Sequence, residues 1–253
     1  MSDDTSADEE DNTGEEEAGS PSDAVDTPSE AEEGDEADLT EEEIETEDGE
    51  EAALDGNVVA SGTFGANATW TLTGTGADLT LTISGSGGVH GDSDWAGQWA
   101  SQIKTVIVEY GITSLDISAL SGLNSLVRVS LPDSLTSIGS SCFSGCDSLK
   151  EIVIPDSVTS LSDGAFYACN NLETVTIGGG VKSVGEYAFK HHEKLRSVII
   201  RNGVTTIDEG AFCGCSMTSI EIPDSVTSIG DSAFDFCLNL ASIKLPNSLK
   251  IKK

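Results

Sequence analysis

The chain has 253 residues, with 45 Asp and Glu against 12 Lys and Arg, and a formal net charge of −33. Residues 1–55 hold 26 of the acidic residues and no Lys, Arg or His, so the acidity lies mostly at the N-terminus. No basic cluster is present to neutralise phosphates, which argues against binding to nucleic acid or to anionic membrane surfaces. No stretch approaches the roughly 20 apolar residues of a membrane helix, so we expect no direct membrane insertion.

Residues 1–55 are predicted to be a disordered acidic tail or linker. Low hydrophobicity and dense like charge leave too little apolar surface to offset the entropy of ordering. A solvated spacer is the simpler interpretation, and a docking tail for a basic partner is the functional alternative. The start, MSDDTSADEE, lacks the basic and apolar regions of a secretory signal and on its own predicts an intracellular protein. The last sequence copy stops in mid-repeat, which instead predicts a fragment of a longer protein.

Residues 56–103 are predicted to form a β-rich N-terminal cap. The runs VVASGTF, ATWTLTG and DLTLTISG are rich in Thr, Val, Ile and Leu and are separated by turn residues, as in a β-meander. Alternation places the following side chains on inner faces: Trp70, Leu72, Leu79, Leu81 and Ile83. Together with Trp95 and Trp99, they are expected to cover the first core layer of the next region.

Residues 104–253 contain a repeat of 23 residues, with six copies and a truncated seventh. The copy at 218–240, TSIEIPDSVTSIGDSAFDFCLNL, matches 127–149, 150–172 and 173–195 position by position. A fixed short period predicts a solenoid of stacked coils. The third and fifth positions of each copy are Val, Ile or Leu, which predicts short parallel strands with one buried face. Pro-Asp-Ser then ends the strand.

The second half of each copy is predicted to form a short helical face. Ala and Phe, a Cys three residues later and a Leu after three more have helical spacing. Cys146, Cys169, Cys215 and Cys237 share this Cys position, and His192 replaces it in one copy. We interpret these cysteines as unpaired core thiols, because free Cys behaves as a small apolar residue. Stacked neighbours at about 5 Å leave a disulfide as the alternative.

The repeats resemble the BspA-type leucine-rich-repeat family, whose copies read approximately LxxIxIPxxVTxIGxxAFxxCxxL. The Pro, Gly, Ala-Phe and Cys positions carry the resemblance over residues 104–253, and the β-rich segment before them is also similar. The resemblance implies an α/β solenoid, a right-handed stack with parallel strands, preceded by the cap and the acidic tail. It also implies a location at the cell surface or secretion, adhesion and protein binding, with no catalytic residues.

No motif in the chain indicates an enzyme, a cofactor or a metal. His90, Asp92, Ser93 and Asp94 lie in one loop, but their spacing lacks the ligands and glycine of a calcium loop, so a polar loop is favoured over a metal or catalytic loop. Turn chemistry accounts for the repeated Asp of the Pro-Asp-Ser segments without a cation.

The residues that face outward from the strands are the candidate binding surface. These are the second and fourth strand positions, and the candidate residues are Ile107, Arg128, Glu151, Val153, Thr174, Thr176, Ser197, Ile199, Glu221 and Lys244. Exposed apolar side chains among polar ones suit a protein contact. We expect a monomer that binds a host or bacterial surface protein, or a glycan. A structural spacer or stalk that displays another domain is the alternative.

Overall fold

The computed structural model describes residues 57–64, 66–91, 95–247 and 249, and the predicted acidic tail at 1–55 lies outside them. One short helix, α1 (Trp95–Trp99), occurs among the described residues. The strands in chain order are β1 (Val58–Phe64), β2 (Ala68–Thr75), β3 (Asp78–Gly85), β4 (Gly87–Val89), β5 (Ile103–Val108), β6 (Ile112–Leu115), β7 (Arg128–Ser130), β8 (Ser137–Ile138), β9 (Glu151–Ile154), β10 (Ser160–Leu161), β11 (Thr174–Ile177), β12 (Ser183–Val184), β13 (Ser197–Ile200), β14 (Thr206–Ile207), β15 (Ser219–Glu221), β16 (Ser228–Ile229) and β17 (Ser242–Lys244).

Each repeat forms one coil with two strands, and equal strands of successive coils pair in parallel. The short strands β4, β6, β8, β10, β12, β14 and β16 make one continuous sheet. The longer strands from β5 to β17 form the other face in three pieces. The register is one repeat length: Val175 is opposite Ile152 on one side and Val198 on the other. The sequence period therefore becomes the hydrogen-bond register, and the predicted parallel solenoid is confirmed.

The N-terminal meander is built into the same stack. β1, β2 and β3 pair antiparallel, as the three runs of alternating residues predict. β3 then pairs in parallel with β5, and β4 pairs in parallel with β6. Trp70 is buried, and its ring lies 6.3 Å from that of Trp99, centroid to centroid. The meander thus covers the first core layer through both sheet pairing and aromatic packing.

The predicted helical face in each repeat is wrong, because these segments are successive turns. In one coil, Ala165 and Tyr167 donate their backbone N–H groups to carbonyls three residues earlier. Gly164 and Phe166, which alternate with them along the chain, donate instead to carbonyls of the next coil, at 2.8 and 3.2 Å. In an α-helix, consecutive N–H groups after the first turn all donate to carbonyls four residues earlier in the same segment. Every second N–H group of this segment therefore bonds to the next coil, and a helix cannot form.

Left-handed backbone at two positions per coil explains why the helix cannot continue. The non-glycine residues with positive φ are Ser118, Ser141, Ala168, Tyr187, His191, Ser232 and Phe236, and glycines take the same positions in other coils. For example, Gly145 has φ 74° where the next coil has Ala168 at φ 59°. Left-handed residues with a Cβ carry strain, and inter-coil hydrogen bonds hold them in place.

A stack of phenylalanine rings forms the centre of the core. Phe143, Phe166, Phe189 and Phe212 are fully buried, and their rings are parallel within 8°. Centroid separations lie between 5.0 and 5.4 Å along these four rings. The half-buried ring of Phe234 follows at 5.6 Å. The ring spacing matches the coil spacing of parallel strands, so Phe166, Phe189 and Phe212 each pack between the rings of the coils before and after them.

The repeated cysteines form hydrogen bonds between coils in addition to packing in the core. The Sγ of Cys169 lies 3.1 Å from the backbone oxygen of Phe143, and Cys215 makes the same contact to Phe189. Each thiol therefore donates to a carbonyl of the preceding coil. All six cysteines are free thiols in the structure. Burial raises the pKa of Cys215 above the ordinary value, which keeps its thiol protonated as a donor.

We predict that Phe166→Ala lowers the free energy of unfolding by about 3–5 kcal/mol, because the variant leaves a cavity between two stacked rings. Phe236→Ala is the matched control, since Phe236 is 66% exposed and should lose less than about 0.5 kcal/mol. Urea denaturation of both variants measures the difference. Equal losses in the two variants would contradict the ring stack as the centre of the core.

We also predict that Ala168→Gly raises the free energy of unfolding by about 0.5–1 kcal/mol. Ala168 has φ 59°, and glycine adopts this conformation without a steric penalty. The control is Ala165→Gly, at a fully buried position with ordinary backbone, which should lose about 1 kcal/mol. Thermal and urea denaturation compare the pair. A loss of stability in Ala168→Gly would show that no strain is relieved there.

Candidate functional site

The outward row comprises the second and fourth positions of the longer strands, and it runs along the stack. Most of the predicted binding residues on it are exposed: Ile107, Arg128, Glu151, Val153, Ser197, Ile199, Glu221 and Lys244. Thr174 and Thr176 are half-buried, because their strand is paired along its whole length with a strand on each side. The structure thus places all ten residues on one face, and the two threonines lie deeper than predicted.

Exposed apolar side chains alternate with polar ones along this row. Val153 pairs with Thr176, which pairs with Ile199, while Ile107 pairs with Ser130. Ile107 is 37% exposed, Val153 50% and Ile199 49%. Paired strands lie about 4.8 Å apart, so Val153 and Ile199, on the two strands that flank β11, are about 10 Å apart. The row therefore presents aliphatic side chains on alternate coils, with hydroxyl side chains between them.

The charges of the outward row are paired at one end and unpaired in the middle. Glu221 and Lys244 are opposite one another on β15 and β17 and form an ion pair. The Glu221 carboxylate raises the pKa of Lys244 by hydrogen bonding and by charge. Arg128 and Glu151 are equivalent neighbours on β7 and β9, but they form no ion pair among the described residues. The two strands that carry them, β7 and β9, belong to different sheets and are not paired.

The sheet of longer strands is interrupted between β7 and β9. β7 ends the five-stranded sheet and β9 begins the next one, and no backbone hydrogen bond joins the described segments 127–131 and 150–154. Val129 and Leu131 are half-buried, whereas the corresponding inward residues of β9 are buried. A pocket of about 360 Å³ opens at this interruption, and we name it the seam pocket. Its lining residues are Val129, Ser130, Leu131, Asp133, Val153, Pro155, Asp156 and Arg201.

An ion pair that spans 45 residues of sequence borders the seam pocket. The Nη1 of Arg201 lies 2.9 Å from the Oδ2 of Asp156, and the backbone N–H of Gly179 donates to the Oδ1 at 2.7 Å. The Gly179 hydrogen bond, followed by the Arg201 charge, lowers the pKa of Asp156. Glycines at 178–180 replace Pro-Asp-Ser in the coil between, which leaves room for Arg201 to cross it. That replacement is the sequence signal of this contact, and sequence reasoning did not use it.

The imidazole of His90 contacts a carboxylate of the first coil. The Nδ1 of His90 lies 2.6 Å from the Oδ2 of Asp116, beside an open pocket of about 520 Å³. Asp92, Ser93 and Asp94 lie outside the described residues. Within the described ranges, no three or more His, Cys, Asp or Glu side chains gather where they could hold a metal ion. His191 is exposed, while His192 is buried in the cysteine position, as the repeat pattern predicts.

Solved structures with the same architecture come from several bacteria. A leucine rich cell surface protein of Faecalibacterium prausnitzii is 29% identical, with a TM-score of 0.54, over 73% of this chain and 54% of that one. A leucine rich repeat protein of T. pallidum is 27% identical, with a TM-score of 0.55, over 70% and 79%. One from Bacteroides ovatus, at 24% identity and TM-score 0.56 over 73% and 53%, shares the fold. The chain thus spans about half the length of two of these proteins.

A comparison with the curated proteins found no match. Among the described residues, no helix has the length and apolar character needed to cross a membrane. The family described as BspA type leucine rich repeat region matches residues 98–217 and 182–253, with six copies. Proteins with such repeats are generally non-catalytic binding or scaffold modules, and none of the comparisons indicates an enzyme family. The chain belongs to the BspA-type leucine-rich-repeat family.

Proposed function

We propose that this chain is a non-catalytic module that binds a protein partner through the outward row. The observation that carries the proposal is the set of exposed aliphatic side chains at 107, 153 and 199, which alternate with polar residues on a paired sheet. Exposed branched side chains on a rigid sheet lose little conformational entropy when they are covered. Such a surface suits a protein contact with an apolar centre and a polar surround.

The proposed location is the cell surface or the extracellular space. Support comes from the relative in Faecalibacterium prausnitzii, whose description is a leucine rich cell surface protein. We propose a matching division of the chain: an acidic tether at 1–55, a cap at 56–103 and the binding repeats at 104–253. Adhesion to a host or bacterial surface protein is the activity that this arrangement supports.

The competing function is a spacer that holds another domain away from a surface. Coils stacked by a constant register make a stiff rod, and a stiff rod serves either role. The two functions differ in what the outward row must do. A binding module depends on the side chains of the row, whereas a spacer depends only on the inward residues and the turns.

We predict that Ile107→Glu/Ile199→Glu reduces capture of a surface protein at least tenfold, because each carboxylate would be desolvated in the contact. The full chain is immobilised, and saturable binding is measured from extracts of host-cell and bacterial surfaces. Ile117→Glu is the matched control, since Ile117 is 68% exposed but lies outside the row. Its binding should equal that of the unaltered chain.

Three results would count against the binding module. Full capture by the double variant would show that the outward row is not the contact surface. An equal loss in Ile117→Glu would show that added charge, and not its position, is responsible. Absence of any saturable partner for the unaltered chain would favour the spacer.

A further inference from the structure

We propose that the seam pocket binds one arginine side chain of the protein partner. The inference rests on the proposed function, because the pocket opens on the outward face between β7 and β9. At about 360 Å³, it lies near the lower limit of ligand pockets, which span about 300–1,000 Å³. That size suits a single long side chain better than a cofactor or a folded element.

The lining of the pocket matches the two parts of an arginine side chain. Val129, Leu131, Val153 and Pro155 provide apolar walls, and the first two are half-buried because the sheet is interrupted beside them. The aliphatic stem of arginine packs along surfaces of this kind while its charged end stays at the polar rim. Three charged groups also line the pocket, namely Asp133, Asp156 and Arg201. Arg201 is already paired with Asp156, so the carboxylate of Asp133 is the one that faces an incoming cation.

An ion pair between an arginine and a repeated aspartate, the kind of contact that we assign to the partner, already occurs within the protein. Asp133 and Asp156 are the same repeat position in successive coils, each within a Pro-Asp-Ser turn. Asp156 accepts the guanidinium of Arg201, which crosses the glycine-containing turn at 178–180. Asp133 has no ion pair among the described residues, and it is exposed at the pocket. A guanidinium of the partner would therefore form at Asp133 the ion pair that Arg201 forms at Asp156.

The charge of the folded region favours a cationic partner. The 198 residues after the tail hold 19 acidic and 12 basic side chains, so the field around the stack is negative overall. Arginine is a better occupant than lysine because its planar fork donates two parallel hydrogen bonds to one carboxylate. A neutral isostere of arginine retains the stem and the shape but loses the charge, which makes it a direct test.

The experiment is an NMR titration of the full chain with the peptide Ac-Gly-Arg-Gly-NH2, together with its citrulline and lysine counterparts. The arginine peptide is expected to shift the Val153 methyl signals and the Asp133 amide signal in a saturable manner. The citrulline peptide should bind at least fivefold more weakly, and the lysine peptide should lie between them. Asp133→Asn should weaken binding of the arginine peptide at least fivefold, since the amide keeps the turn but removes the charge.

Asp224→Asn is the matched control, because Asp224 occupies the same turn position in a coil whose strand is paired with the next one. Its affinity for the arginine peptide should equal that of the unaltered chain. Equal binding of arginine and citrulline, unchanged binding in Asp133→Asn, or shifts confined to another face would each overturn the proposal. If capture of a partner still depends on Ile107 and Ile199 in that case, the outward row stands without the arginine site.

Discussion

Hydrogen bonding between coils at a constant register is the constraint on which the whole structure depends. Each inward side chain packs against the side chains at the same repeat position in the coils before and after, so no coil has a complete core alone. The strands satisfy this register with their ladders, and the turn segments satisfy it with every second N–H group, as in Phe166 to Ala188. The thiols of the cysteine position add a side-chain donor to the same inter-coil bonding. The left-handed residues at two positions per coil are tolerated because these bonds hold them.

Much of this fold could be predicted from sequence, because the period and the inward strand positions are visible as residue types. The meander, the parallel strands, the Pro-Asp-Ser turns and the buried phenylalanines follow from alternation, turn chemistry and repetition. The helix was predicted wrongly for a physical reason. Ala, Phe, Cys and Leu three residues apart fit a helical face and a series of turns equally well. The distinguishing feature is backbone handedness, and residues such as Tyr187 and Phe236 at those positions conceal it.

The candidate site was predictable in position but not in detail. Counting strand positions was enough to identify the outward row, since neighbouring side chains in a strand alternate between faces. The depth of Thr174 and Thr176, the interruption between β7 and β9, and the bond from Arg201 to Asp156 depend on how coils pack. A contact across 45 residues leaves only an indirect trace in sequence. That trace is the loss of side chains at 178–180, in the coil that the arginine crosses.

The inward and outward positions of one strand obey different physical rules, and this separation explains how such a stack can carry a binding surface. A change at Ile152 alters the core of two neighbouring coils, whereas a change at Val153 alters only what a partner meets. Complete pairing, however, gives a nearly flat face, and flat faces lack pockets in which side chains are fully desolvated. At the interruption between β7 and β9, the two strands lack ladder hydrogen bonds, and a concave site opens there. Regular coils therefore fix the surface, and the interruption between β7 and β9 gives it the concave site that we propose for a side chain of the partner.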